Sequence, residues 1–107
     1  MSLVTVHTTV ASADEARSIA RALIEGGLAA CAHIDEVESL YHWDGALHDE
    51  REFRLALKTR AALYPAVEEA IRALHRYALP DIHAVPIAQV SAAYAAWVES
   101  RCSAADA

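Results

Sequence analysis

Apolar and polar residues alternate along the first ten positions of the chain. The segment from Leu3 to Val10 is rich in β-branched residues. The alternation puts Val4, Val6 and Thr8 on one side and Thr5, His7 and Thr9 on the other. Because successive side chains of a strand point to opposite faces, this period of two residues predicts a β-strand.

The period then changes to that of a helix. Apolar residues recur at helical spacing in Ala16, Ile19, Ala20 and Leu23. Ser12 and Glu15 form a capping box ahead of them, in which the hydroxyl and the carboxylate bind early backbone amides. Gly26 and Gly27 supply a stop signal. The pattern predicts one amphipathic helix between these two signals.

A long hairpin follows the helix. The outgoing arm is predicted over residues 28–43 and the returning arm over residues 46–59, with Asp44-Gly45 as the turn. Asp-Gly between two strand-like runs is a strong hairpin signal, because both central residues must adopt positive φ. Both arms exceed the usual strand length of about five or six residues. They therefore overhang the core, and since their unpaired edges invite another chain, we expect an oligomer.

The second half of the chain adds another helix, another strand and a last helix. Pro65 suits the first turn of a helix, whose apolar stripe is Leu63, Val67, Ile71 and Leu74. Pro80 breaks the chain before a short strand over residues 81–87, where Pro86 indicates an edge or an end of the sheet. Ser91 can cap the last helix, which carries Tyr94, Trp97 and Val98 on one face.

The predicted order is therefore β-α-β-β-α-β followed by a terminal helix. This is an α+β, ferredoxin-like arrangement, with the helices on one face of the sheet. The other face needs cover, which again predicts contacts between subunits. We expect a single domain over residues 1–107, with a frayed tail at residues 103–107 because those residues are small and polar.

Composition narrows the function classes. The chain is 55% hydrophobic and 22% charged, which favours a folded protein over a disordered one. Its formal charge of −6 argues against nucleic acid as a partner, since nucleic acid calls for a basic face, and it permits cation binding. No apolar run reaches the about 18 residues of a membrane span, and no basic region precedes an apolar stretch at the N-terminus, so no signal peptide is predicted. We expect no membrane partner and a cytoplasmic location.

Five ordered segments give the chain a resemblance to a known family. They are Leu28-Ala29-Ala30-Cys31, the run from Ser39 to Gly45, Glu52 followed by Leu57-Lys58-Thr59, the block from His75 to Ile82, and Tyr94-Ala95-Ala96-Trp97. On these segments, which span residues 3–101, the chain resembles the CutA family, the divalent-cation tolerance proteins. The resemblance implies a homotrimer of ferredoxin-like subunits whose hairpins pair with neighbours. It also implies a role in tolerance of copper and other divalent metals, with no established enzymatic activity.

The block that begins at His75 departs from the family pattern, which usually reads His-Pro-Tyr-Glu-x-Pro-Glu. Arg76 replaces the proline, Ala78 replaces the first glutamate, and Asp81 stands for the last one. Losing a carboxylate and gaining a guanidinium makes the surroundings of His75 less favourable for a cation.

The histidines are the candidate metal ligands, because imidazole suits copper and zinc. The six histidines are His7, His33, His42, His48, His75 and His83, and they contain no pair at i, i+4 on a predicted helix. Some family members carry a first-strand cysteine proposed as a copper ligand, whereas His7 or Thr8 lies near that position here. His75 is the member of that ligand set that the resemblance preserves, for Cu²⁺ or another divalent cation. The alternative is a purely structural role, in which the positive charge of protonated His75 interacts favourably with the dipole at a helix C-terminus.

Polar and aromatic residues mark a second candidate site. The resemblance suggests that Tyr41, Trp43, Glu52, Lys58, Tyr77 and Trp97 gather with His75 near the cleft between subunits. Aromatic walls with a few convergent polar groups are typical of a ligand site. Aromatic residues are also enriched at interfaces, so Trp43, Tyr94 and Trp97 are alternatively packing anchors. Lys58 alternatively forms a plain ion pair with a carboxylate across subunits.

Catalytic motifs are missing from the sequence. Its three glycines, at positions 26, 27 and 45, do not form a glycine-rich phosphate loop, and no G-x-S-x-G motif occurs. We predict a non-enzymatic protein without an organic cofactor. The alternative function is a trimeric small-molecule sensor of the PII type, which shares this architecture and binds ligands in clefts between subunits. PII-type proteins extend a mobile loop, and the tight Asp44-Gly45 turn disfavours such signalling.

Overall fold

The computed structural model describes residues 2–102 of the chain. In order, its elements are β1 (Leu3–Val10), α1 (Ala13–Glu25), β2 (Cys31–Trp43), β3 (Ala46–Arg60), α2 (Tyr64–Leu74), β4 (Ile82–Pro86) and α3 (Ala92–Arg101), with a single 3₁₀ turn, Ala61–Leu63, ahead of α2. This is the predicted β-α-β-β-α-β order with a terminal helix. The tail predicted to fray, residues 103–107, lies outside the described residues.

The strands form one antiparallel sheet in the order β2-β3-β1-β4. β1 lies inside the sheet and pairs with β3 on one side and with β4 on the other. Val6 and Val10 of β1 are fully buried, whereas His7 and Thr9 between them are only partly buried. The two faces of β1 therefore differ as the alternation predicts, and the ferredoxin-like fold is confirmed. β4 is an edge strand, and it is shorter than the predicted 81–87 because its pairing starts at Ile82.

The hydrophobic core fills the space between the sheet and the helices. Its largest fully buried side chains include Leu23, Leu55, Leu57, Leu63, Ile71, Val6, Val10, Val67 and Val98. Leu74 was predicted to continue the stripe of α2, but it is 46% exposed. The reason is that α2 ends there: the chain turns extended at His75, whose backbone N–H donates to the Ile71 carbonyl.

The start of the hairpin differs from the prediction. The outgoing arm was placed at residues 28–43, but β2 begins at Cys31. Leu28 and Ala29 instead donate their backbone N–H groups to the carbonyl of Leu23, at 2.9 and 3.3 Å, so they complete the end of α1. Gly27, with φ of 73°, makes the change of direction.

The turn of the hairpin forms at Asp44-Gly45, with φ of 51° and 78°. The last cross-strand pair is Trp43 with Ala46, which confirms the predicted two-residue turn. The described residues extend over 45 × 27 × 21 Å. Near the tip, Leu40 and Leu47 are 62% and 71% exposed. The tip therefore lies outside the core of the subunit, as its polar composition predicted.

The ends of α1 and α3 follow their capping signals. Ser12 accepts a hydrogen bond from the Glu15 backbone N–H at 3.2 Å, and Ser91 accepts one from the Tyr94 backbone N–H at 3.3 Å. On α3, Val98 is fully buried while Trp97 is 40% exposed. None of the helices in the described part of the chain combines the length and apolar character needed to cross a membrane.

Candidate functional site

An open concave surface of about 760 Å³ lies between the outer half of the hairpin and the segment that joins α2 to β4. The hairpin contributes Glu38, Ser39, Leu40, Tyr41, Trp43, Glu50 and Glu52, and the joining segment contributes Arg76, Tyr77, Ala78, Leu79 and Asp81. Two aromatic side chains of the hairpin and one of the joining segment therefore wall a region with several charged groups. We call this surface the hairpin concavity.

Glu52 and Tyr77 form the polar centre of the hairpin concavity. The Tyr77 hydroxyl donates to Oε2 of Glu52 at 2.6 Å, and Glu52 is only 6% exposed. Burial and this hydrogen bond hold the pKa of Tyr77 well above its usual range. The phenol therefore stays protonated at neutral pH and acts as a hydrogen-bond donor to a carboxylate that would otherwise be buried without a partner.

His75 lies next to Tyr77 and uses both ring nitrogens in hydrogen bonds. The backbone N–H of Tyr77 donates to Nδ1 at 3.2 Å, so that nitrogen carries a lone pair. Nε2 then holds the proton and donates to the Thr9 carbonyl at 2.8 Å. The ring also packs against the Tyr77 ring, with centroids 4.9 Å apart. In this conformation His75 fixes the joining segment to β1.

A metal ion at His75 would have to replace one of these two hydrogen bonds. Within residues 2–102, no three side chains of the types His, Cys, Asp and Glu lie close enough together to hold a metal ion. The residues around His75 therefore do not supply a preformed ligand set of the kind that structural metal sites use. Its assignment as a metal ligand stays a prediction.

Negative charge dominates the hairpin concavity. Its carboxylates are Glu38, Glu50, Glu52 and Asp81, and its guanidinium is that of Arg76. The Arg76 side chain is 79% exposed and lies at 4.0 Å from a carboxylate oxygen of Glu15. Because Arg76 points toward solvent and is drawn to Glu15, the surface favours ligands that carry positive charge or hydrogen-bond donors.

The structure brings together part of the predicted cleft set. Tyr41, Trp43, Glu52 and Tyr77 all line the hairpin concavity. Lys58 lies at the far end of β3, opposite Thr5 and Cys31. Trp97 is on α3, where its ring lies 5.6 Å from that of Tyr94. Neither belongs to the concavity within one subunit, and a role between subunits stays a prediction for all six residues.

Sequence reasoning missed a histidine pair on the face of the sheet opposite the core. Thr8 is fully buried, so of the two residues near the family's cysteine position it is His7 that lies on this open face. His83 of β4 is directly opposite His7 in the strand register, and the two rings stack at 5.1 Å. Burial, followed by the charge of His83 and that of Arg54, lowers the pKa of His7. Only the pairing of β4 with β1 reveals this contact, and no local signal in the sequence encodes it.

Both cysteines are free thiols. Sγ of Cys31 lies 3.3 Å from the Tyr94 hydroxyl, while Cys102 is fully buried. The contact with Cys31, together with burial, raises the pKa of Tyr94 to about 12. Cys31 is partly buried and contacts α3 through this pair of atoms.

Comparison with known proteins identifies the family. The family model described as CutA1 divalent ion tolerance protein matches residues 4–101. The divalent-cation tolerance protein CutA of Thermus thermophilus is 41% identical over 94 residues, which are 87% of this chain and 91% of that protein. The solved structure from Archaeoglobus fulgidus, described as a periplasmic divalent cation tolerance protein CutA, superposes with a TM-score of 0.92 at 31% identity and covers 94% of this chain and 99% of that one. The CutA structure from Synechococcus elongatus gives a TM-score of 0.92 at 35% identity, with 95% and 91% coverage. On this agreement of sequence and fold over nearly its whole length, the chain belongs to the CutA1 divalent ion tolerance family.

Proposed function

We propose that this chain is a non-enzymatic, cytoplasmic homotrimer that binds divalent metal ions, copper above all, and contributes to metal tolerance. The observation that carries the proposal is the family match over residues 4–101, which reaches every strand and helix of the fold and leaves out only Leu3 of β1. Relatives at this similarity are described as divalent-cation tolerance proteins.

The shape of the subunit supports self-association. Beyond the core, the hairpin exposes Leu40, Trp43 and Leu47 at 62%, 48% and 71%. Exposed apolar groups clustered on one element are typical of interaction surfaces. The strand β2 is also an edge of the sheet, so its outer backbone groups are available to a neighbouring strand. A second and third copy of the chain would cover both features.

The chemistry of the hairpin concavity supports binding in preference to catalysis. The raised pKa of Tyr77 keeps its hydroxyl protonated, and the buried carboxylate of Glu52 already accepts a hydrogen bond from that hydroxyl. Because its pKa is raised, Tyr77 is not poised to give up its proton to a substrate at neutral pH. The excess of carboxylates on this surface and the formal charge of −6 favour cations.

A small-molecule sensor of the PII type has less support. The concavity has the aromatic walls that such a ligand needs, but the hairpin closes in a two-residue turn and offers no long loop to reach a target. The relatives compared above are divalent-cation tolerance proteins.

The test is a calorimetric titration of the purified chain with Cu²⁺, in parallel with light scattering. We expect saturable Cu²⁺ binding, no comparable binding of Mg²⁺, and the mass of a trimer. His75→Ala tests the family ligand, and His42→Ala, which alters an exposed histidine beside the turn, is the matched control. A monomer that binds no Cu²⁺ would overturn the proposal, while equal affinity of the two variants would remove His75 from the site.

A further inference from the structure

Three histidines form a row across the face of the sheet opposite the core. His83 of β4 is directly opposite His7 of β1, and their rings stack at 5.1 Å with planes 16° from parallel. On the other side of β1, His7 pairs with Ala56 of β3, which pairs with His33 of β2. Because residues directly opposite in antiparallel strands project to the same face, these residues lie in one line across all four strands. We call the three histidines the histidine row.

The charged groups around the histidine row balance one another. The titratable groups that face it from neighbouring positions are Arg54, Lys58, Asp35, Asp81 and the thiol of Cys31. Arg54 is bound to Asp35 by two hydrogen bonds of 2.8 and 3.3 Å, and Oδ1 of Asp81 lies 2.7 Å from Nδ1 of His83. Two cations thus stand against two carboxylates. Any proton that the histidine row takes up therefore adds a positive charge that these groups do not offset.

Mild acid changes the charge of this face. Histidine is the side chain whose ordinary pKa lies between about pH 5 and 8, so acidification within that range adds up to three positive charges to the row of each subunit. Burial, followed by the charges of His83 and Arg54, lowers the pKa of His7 from its ordinary value of 6.5. The free energy of unfolding therefore falls as the pH drops below 6.5, because the unfolded chain takes up the proton first. Covering the row with another subunit removes more water and adds to this cost.

We propose that the histidine row is a pH switch of assembly, in which neutral histidines allow another copy of the chain to cover this face and protonated histidines weaken that contact. The inference rests on the trimer of the proposed function and concerns its regulation. A closed symmetric trimer contains the row three times and uses the same surfaces at each interface. Repulsion from protonated rows therefore acts at every interface, and the assembly loosens as acidity rises.

Another copy of the chain is the partner that fits this face. β2 carries His33, is an edge of the sheet and continues outward into the hairpin. Tyr41 and Trp43 lie an even number of residues from His33 along β2, so they belong to the same face of the strand, and they are 37% and 48% exposed. Exposed aromatic side chains are typical of subunit interfaces, and a neighbour that pairs with the β2 edge covers both the aromatic residues and the row. The alternative is that the three histidines only fill space beneath that neighbour, in which case their protonation would not change the strength of assembly.

The experiment follows subunit exchange in the full chain by native mass spectrometry. Unlabelled and heavy-isotope-labelled protein are mixed at pH about 7.5 and about 5.5, on either side of the ordinary histidine pKa. The rate at which mixed trimers form is measured at one temperature, chosen so that exchange at the higher pH is measurable. His83→Gln and His7→Gln each remove one titrating ring of the stacked pair. His42→Gln is the matched control, since His42 is exposed beside the turn and outside the row. The unmixed proteins give the oligomeric mass, and circular dichroism checks that each variant is folded.

We expect the unaltered trimer to exchange subunits about tenfold faster, or more, at the lower pH. His83→Gln and His7→Gln should each reduce that acceleration to about threefold or less, with His42→Gln unchanged. His83→Lys, which carries its charge at both pH values, should exchange rapidly at both. Equal exchange rates of the unaltered trimer at the two pH values, or full acceleration in both glutamine variants, would overturn the inference and leave the trimer standing. The mass of a monomer at the higher pH would overturn the inference together with the proposed assembly.

Discussion

Removing the hydroxyl of Tyr77 should destabilise the subunit by about 1.5–3 kcal/mol, the range for a hydrogen bond to a charged group. In the structure this hydroxyl donates to Oε2 of Glu52 at 2.6 Å, the short distance typical of a charge-assisted bond. Glu52 is 6% exposed, so water does not readily replace the lost donor. Tyr77→Phe keeps the ring contact with His75 at 4.9 Å and therefore isolates the effect of the oxygen.

The assay is urea unfolding at a fixed chain concentration, because association makes apparent stability depend on concentration. With an m-value of about 2 kcal/mol/M, the midpoint should fall by about 1 M. A double-mutant cycle with Glu52→Gln separates the pair from its surroundings: the two changes together should cost less than the sum of the single changes. If Tyr77→Phe shifts the midpoint no more than an ordinary surface substitution, the reasoning about a buried, dependent carboxylate is wrong.

Other predictions concern the turn, the core and the response to pH. Gly45 has a φ of 78° and no neighbouring atom that an added Cβ would meet, so Gly45→Val should strain the turn by roughly 1–3 kcal/mol. We expect this variant to have a lower mass by light scattering, whereas Gly45→Asn should keep the mass of the unaltered protein. An unchanged mass in the valine variant would count against the hairpin's role in assembly. Leu55→Ala, at a fully buried site, should lower the free energy of unfolding by about 2–5 kcal/mol. Leu40→Ala, at a side chain that is 62% exposed, should leave subunit stability unchanged and weaken self-association. Equal unfolding midpoints of the two variants would refute this contrast. The pKa of Tyr94 is raised from 10.0 to about 12 in the folded state, so the free energy of unfolding should fall as the pH rises through this window. In Tyr94→Phe, denaturant titrations at a series of pH values should show a smaller fall. The same dependence of stability on pH in both proteins would contradict this prediction.

The parts of the fold that the sequence predicts well are those that depend on residues close together in the chain. The alternation of β1, the Ser12 cap of α1 and the Asp44-Gly45 turn each depend on residues only a few positions apart. The turn also fixes the register of the hairpin, in which His42 pairs with Leu47. Local chemistry was sufficient at each of these places.

The candidate site was harder to predict because distant segments build it. The resemblance groups Glu52 and Lys58 near one cleft, but both lie on β3, and at about 3.3 Å per residue the strand separates them by roughly 20 Å. The burial of Glu52 depends on Tyr77, a residue from the segment after α2. The contact of His7 with His83 likewise exists only because β4 joins the sheet beside β1. The periodicity of side chains within one segment does not predict either contact between segments, Glu52 with Tyr77 or His7 with His83.

The outer edge of β2 bears on how the chain behaves when it is crowded or newly made. Over Cys31–Trp43, this edge of the described sheet has no strand beside it within the subunit. Such an edge is a template for strand addition, including the open-ended stacking that produces fibres. Asp35, Glu36 and Glu38 lie along it, and β3 pairs Asp35 with Arg54 and Glu36 with Arg51. A neighbouring strand is therefore favoured only in a register that brings opposite charges together, because like charges directly opposite are unfavourable. This charge pattern works against indiscriminate aggregation.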